Sequence, residues 1–123
     1  MSHILGVHHI QITAPENCEP DARAFYVGLL GLEEIHKPKE LRGRGGVWFH
    51  TPNHIEIHVS VRPNDTPPGT HRHIALRVDH LDTLLQRLKE AGVKTEQPPE
   101  VEGWKRIFIF DPFDNKLELL EIL

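Results

Sequence analysis

The segment VHHIQIT, residues 7–13, sets His9, Gln11 and Thr13 on one side of an extended chain and Ile10 and Ile12 on the other. That period of two marks a strand with unlike faces. Pro15 ends it. In EPDARAFYVGLLGLEE the period changes. Ala22, Phe25, Tyr26 and Leu29 recur at helical spacing, Pro20 suits a first helical position and Gly31 a helix stop. Three strand candidates follow: EEIHK (33–37), GGVWFHT (45–51) and HIEIHVS (54–60). Gly43, Gly45 and Gly46 separate the first two, and the TPN turn separates the last two. Residues 62–70, RPNDTPPGT, carry three prolines, a glycine and no apolar side chain, which reads as a linker.

After it the pattern begins again. HRHIALRV alternates as a strand, and DHLDTLLQRLKEAGV is the clearest helix, with Asp79 placed to cap it. Leu81, Leu84, Leu85 and Leu88 form its apolar stripe, and Gly92 closes it. VKTEQ, WKRIFIFD and KLELLEI read as three more strands, the last two joined by a DPFDN turn in which Asp114 and Asn115 are turn formers. The expected fold is therefore α+β: two βαβββ modules in tandem in one domain, module 1 over about 4–61 and module 2 over about 71–123, around the linker at 62–70.

The halves also align residue by residue. HHIQI (8–12) matches RHIAL 64 positions later, and NHIEI (53–57) matches NKLEL 62 positions later. His9 thus returns as His73 and Glu56 as Glu118, each histidine on the first strand of its half and each glutamate on the last. In all four strands the residue lies opposite the apolar row against which a helix should pack. Any one of them alone suits a solvated strand face. The repeat of type and position points instead to a site, in which a pseudo-two-fold pairing of the halves brings the four together. Two imidazoles and two carboxylates suit one divalent first-row metal: Zn, Ni, Co, Mn or Fe(II). His8 falls on the Ile10 side and is the weaker candidate. His71 shares a face with His73, and His54 and His58 flank Glu56 in a rival HxExH arrangement. Trp48 and His50 are candidate cavity residues, and Trp104 suits a cavity wall or a strand edge.

Composition narrows the partners. The chain has 123 residues, 38% hydrophobic and 26% charged, with a net charge of −4, which suits a globular domain and disfavours nucleic acid as a partner. No apolar run approaches the roughly 20 residues of a membrane span, and MSHILGVHH does not read as a signal peptide. The one cysteine, Cys18, cannot form an internal disulfide, so the cytoplasm is the expected setting. Ten histidines are the compositional oddity that motivates the search for a metal site.

VHHIQI, ARAFYVGLLGLEE, HIEIHV, HRHIALRVDHLD, LKEAGV and FIFDPFDNKLELLE together resemble the vicinal oxygen chelate superfamily, also called the glyoxalase/bleomycin resistance/dioxygenase superfamily. The resemblance spans both halves. It implies paired βαβββ modules whose eight strands enclose a cavity, a homodimer, and metal ligands on the first and last strand of each half, here His9, Glu56, His73 and Glu118. The activity it implies is that of a metal-dependent lyase or isomerase of the glyoxalase kind, acting on a small oxygenated substrate through an enolate-type intermediate. Either Glu56 or Glu118 then moves the proton, the other joining the histidines as a ligand. An extradiol-type dioxygenase, a thiol-transfer or drug-inactivating resistance enzyme and a non-catalytic small-molecule binder are the alternatives. Basic residues of the kind that glutathione-using members employ are not assignable. Arg23, Arg77, Lys105 and Arg106 read as solvated surface charges, and HKPKELRGRGG (36–46) suits either a flap or an exposed loop.

Overall fold

The alternating and helical segments take up the expected order twice. The computed structural model describes residues 3, 5–62 and 73–123, so His71 and residues 63–70 of the linker lie outside the described residues. The chain divides into two units, Met1–Asp65 and Thr66–Leu123. The first holds β1 (His9–Ala14), α1 (Glu19–Ala22) running on into π-helical turns over Arg23–Leu29, β2 (Glu33–Ile35), β3 (Gly46–His50) and β4 (Glu56–Val61). Its sheet has the order β1-β4-β3-β2, with β1 and β4 parallel and the other pairs antiparallel. The second holds β5 (Ile74–Arg77), α2 (Leu81–Glu90), β6 (Thr95–Glu96), β7 (Trp104–Phe110) and β8 (Lys116–Ile122). The order there is β5-β8-β7-β6, again with the first and last strands parallel. The fold is thus α+β, two tandem βαβββ modules. Among the described residues no helix is long and apolar enough to cross a membrane.

Each unit buries one face of its sheet under its helix. In the first, Tyr26 stacks on Phe49 at 5.3 Å between ring centroids, and Ala22, Phe25, Val47, Ile57 and Val59 are buried with them. The Leu30 N–H donates to the Phe25 carbonyl five residues back, at 3.0 Å. This wider winding accompanies the burial of two adjacent aromatic rings. In the second, Leu81 and Leu88 of α2 are buried together with Ile107, Ile109, Leu117 and Leu119, each such side chain contributing roughly 1.5–3 kcal/mol.

The cap of α2 departs from expectation. Asp79 does not supply it. His80, in a left-handed conformation at φ 50°, is the capping residue and makes no side-chain cap bond. Glu121 of β8 accepts the backbone N–H groups of His80 and Leu81 at 3.0 and 3.1 Å. A carboxylate from the sheet therefore satisfies the orphan donors and complements the helix dipole. It also fixes α2 to the odd-numbered face of β8, where Lys105 of β7 pairs with Asp82 of the helix.

Residues 36–46 fold back on themselves. Lys37 Nζ donates to the carbonyls of Arg44 (2.7 Å) and Gly46 (3.2 Å), and Arg42 Nε donates to the Lys37 carbonyl (2.9 Å). The segment ends at Gly46, whose φ of 102° and position leave no room for a side chain: a Cβ there would lie 2.2 Å from the Val59 carbonyl oxygen. The Gly46 N–H donates to Glu19 Oε2 at 2.6 Å, a bond that holds the Glu19 carboxyl below the ordinary glutamate range.

Two outcomes follow for stability. Gly46→Ala loses more than about 2 kcal/mol in chemical denaturation, since both the backbone conformation and the contact with β4 oppose it. Glu19→Gln loses about 1 kcal/mol at neutral pH. Because the folded-state value is the lower one, the stabilisation by Glu19 is present above the ordinary value of 4.5 and is lost as pH falls through the folded value. The gap between parent and Glu19→Gln therefore closes on acidification below that point. A gap that stays constant from neutral pH to pH about 3 would contradict the assignment.

Candidate functional site

With the apolar rows under the helices, the opposite face of each sheet carries the chemistry. In the first unit one transverse row runs His9–Glu56–His50–Glu33 across β1, β4, β3 and β2, and the next runs Gln11–His58–Trp48–Ile35. Imidazoles and carboxylates thus alternate across the first row. His50 Nε2 lies 3.4 Å from Glu33 Oε2, and His58 Nε2 lies 2.9 Å from Glu56 Oε1. The His58 ring is stacked between two others, 3.6 Å from Trp48 at an interplanar angle of 2° and 4.1 Å from His9 at 13°. Burial in this stack pushes the His58 imidazole below its ordinary value against the opposing pull of Glu56. A neutral His58 then donates its Nε2 proton to Glu56, and that bond holds the Glu56 carboxyl below the usual carboxylate range. His8 contacts His9, Nδ1 to Nδ1 at 3.0 Å. His54 leaves the strand altogether. It sits in the turn at φ 66°, with its ring 5.5 Å from His50, so the HxExH triplet does not lie along one strand.

In the second unit His73 and Glu118 meet directly, Nε2 to Oε1 at 2.9 Å. Glu118 is 4% exposed. Its other oxygen faces Arg106 Nη1 at 3.4 Å, and Arg106 Nη2 donates to the Pro99 carbonyl at 2.7 Å. Arg106 is therefore not a solvated surface charge: its side chain is only 15% exposed. Arg23 is likewise engaged, donating through Nε and Nη2 to both oxygens of Glu34 at 2.8 and 3.1 Å. Within each unit, no three His, Cys, Asp or Glu side chains among the described residues form a metal-binding group. Trp104 is 44% exposed on β7.

The registers refine the internal repeat. His50 pairs with Glu56 in the β3–β4 hairpin, and Phe110 pairs with Lys116 in the β7–β8 hairpin. Thr51 N–H donates to the Ile55 carbonyl, as Asp111 N–H donates to that of Asn115, and His54 and Asp114 occupy matching left-handed positions. The hairpins thus superimpose at a spacing of 60 positions, whereas residue similarity alone suggests 62. At 60, the counterpart of Glu118 is His58 and the counterpart of Glu56 is Lys116. The first strands agree with this: Gln11 pairs with His58 and Ala75 with Glu118, 64 positions separating Gln11 from Ala75 as they separate His9 from His73. Both glutamates do lie on the helix-free face, but at different levels of their sheets.

Residues 6–119 match the sequence profile of the Glyoxalase/Bleomycin resistance protein/Dioxygenase superfamily. The chain belongs to that superfamily. Among solved structures it is similar to a protein of Bacillus anthracis assigned to the glyoxalase family, at 37% identity and a TM-score of 0.91, covering 100% of this chain and 99% of that one. It is similar in fold to the fosfomycin resistance protein FosX of Listeria monocytogenes, at 22% identity and a TM-score of 0.79, over 98% and 93% of the two chains. The uncharacterized protein YwkD of Bacillus subtilis is 31% identical over 94% of this chain and 96% of its own.

In this superfamily member the turn before β8 decides where Glu118 falls. Asp111 Oδ1 accepts the N–H groups of Phe113 (2.9 Å) and Asn115 (2.8 Å), and Asn115 Nδ2 donates to Asp111 Oδ2 (2.9 Å). The DPFDN turn was legible, with Asp114 and Asn115 as its formers, but the buried carboxylate of Asp111, 4% exposed, was not. Arg106, inside the apolar run of β7, carried no sequence signal for its contact with Glu118. Asp111→Ala should cost about 2–4 kcal/mol in urea unfolding, because three donors lose their acceptor at once. A cost under about 0.5 kcal/mol, the level of an ordinary surface change, would show that the turn holds without it.

Proposed function

We propose that this protein is a metal-dependent lyase or isomerase of the glyoxalase kind, acting in the cytoplasm on a small oxygenated molecule, and that His9, Glu56, His73 and Glu118 hold one divalent first-row metal. The reading is carried by one observation. Each unit sets an imidazole beside a carboxylate on the sheet face turned from its helix: His9 is the register partner of Glu56, and His73 touches Glu118. The donors fit such an ion. They are nitrogen and oxygen groups of the type that zinc, nickel, cobalt, manganese and iron accept, and a bound cation offsets the burial of the Glu118 carboxylate. When bound, the metal lowers the cost of negative charge on a substrate oxygen next to the carbon that loses its proton.

The protein groups divide the remaining work. Glu118, engaged at Oε1 by His73 and at Oε2 by Arg106, is the stiffer carboxylate and serves as a ligand. The Glu56 side chain, 24% exposed and bonded to His58, has more freedom to move a proton. Its lowered value keeps it ionised at neutral pH, the form that accepts a proton, at some loss of base strength. His58 acts through Glu56 by fixing the direction of that carboxylate. Homodimer formation belongs to the same reading and is measured by sedimentation.

Metal analysis of purified protein tests the site. The parent should retain close to one equivalent of metal per chain, and His73→Ala and Glu118→Ala should both lose it. Addition of metal should raise the melting temperature of the parent only. A parent that neither retains metal nor gains stability from it would favour a non-catalytic small-molecule binder. Oxygen uptake with catechols would move the reaction to the extradiol dioxygenases.

A further inference from the structure

The helix-free face of the second sheet holds two cations whose donors are poorly used. Arg106, Phe108 and Phe110 of β7 and Lys116 and Glu118 of β8 share that face, because Phe108 pairs with Glu118 and Phe110 with Lys116. The Lys116 side chain is 15% exposed, and its ammonium packs on aromatic rings, 4.5 Å from the Phe108 centroid and 5.8 Å from that of Phe110. Its charged partner is Glu96, at 3.7 Å, beyond hydrogen-bond length, and that carboxylate is half exposed. Arg106 stands on the other strand, its guanidinium carbon 5.9 Å from the same Phe108 ring. Its contact with Glu118 is long, at 3.4 Å, and its Nε is buried with no acceptor among the described residues. A buried donor without a partner is costly, and an ammonium removed from water needs acceptors.

The first unit has nothing comparable at the matching positions. By the hairpin register Lys116 stands where Glu56 stands in the other unit, and Phe110 stands where His50 stands. The first face is therefore dominated by imidazoles and carboxylates around Trp48, whereas the second sets a guanidinium, an ammonium and two phenylalanine rings beside His73 and the carboxylates of Glu96 and Glu118.

We propose that Arg106 and Lys116, flanking Phe108, form an oxyanion subsite that takes a carboxylate or phosphonate group of the substrate. The guanidinium donates to the oxyanion and the ammonium supplies the second charge, while the ring keeps bulk water from one side. This deepens the proposed function by making the substrate an anion, and it rests on that reading only for its place in the reaction.

Methylphosphonate and acetate are the probes, titrated into metal-free and metal-loaded protein while the amide resonances of residues 104–118 are followed by NMR at constant ionic strength. Saturable shifts centred on Phe108 and Lys116 are expected, with affinity at least about tenfold weaker in Arg106→Met and in Lys116→Met, the loss of one charge-assisted contact. A response to methylphosphonate alone assigns a phosphonate-type group, and a response to acetate as well assigns a carboxylate. His9→Ala, in the other unit, should bind methylphosphonate like the parent even where it has lost metal, so the subsite and the metal reading fail separately. Lys116→Gln serves if Arg106→Met does not fold. The proposal is overturned by an absence of saturable shifts at millimolar probe, or by unchanged affinity in every folded variant at these two positions.

Discussion

The candidate site depends on one packing constraint: each four-stranded sheet buries its apolar row under the helix of its own unit, and the opposite row carries the polar side chains. Side chains on a strand alternate, so the choice of covered face decides the chemistry of the remaining one. Tyr26 against Phe49 makes the choice in the first unit. In the second, α2 is held by the Glu121 carboxylate at its N-terminus as well as by Leu81 and Leu88. A slip of one residue in either pairing would carry His9 or Glu118 under a helix and bring isoleucine or leucine out in its place.

Much of this was legible beforehand because it rests on periodicity. The alternation in VHHIQIT and KLELLEI, and the leucine stripe of α2, correspond to strands and a helix in the structure. The faces of His9, Glu56, His73 and Glu118 were readable for the same reason. What periodicity does not carry is register. NHIEI and NKLEL look alike because both place an acid between branched apolar residues, yet their hairpins align two residues away from that similarity. The turn sets register through its own hydrogen bonds, Thr51 to Ile55 and Asp111 to Asn115. Turn length is visible in a sequence, but its level in the ladder is settled only when both strands are paired.

The other gaps concern partners distant in sequence. Asp79 looked like the cap of α2 because it is adjacent. Glu121, 40 residues from Leu81, wins because β8 carries a full carboxylate to both N–H groups. Arg106 looked solvated because arginine in a strand commonly is. It is instead engaged by Glu118 of the neighbouring strand and by the Pro99 carbonyl, beside the Phe108 ring of its own strand. Long-range electrostatic partners are set by tertiary pairing, and no local pattern announces them.

The corrected register also bears on how a duplicated module can run chemistry that is not symmetric. Two identical halves would offer two identical carboxylates, and such a pair has no built-in division into ligand and base. Here the matching position of Glu118 holds His58, a neutral ring locked between Trp48 and His9, and that of Glu56 holds Lys116. The two glutamates therefore sit in unlike surroundings: one gripped from both oxygens by His73 and Arg106, the other steered by the His58 imidazole. Environments that differ in this way can assign different roles to the same residue type. On the proposed function, divergence between the halves at positions 56, 58, 116 and 118, more than the duplication itself, separates the role of ligand from that of base.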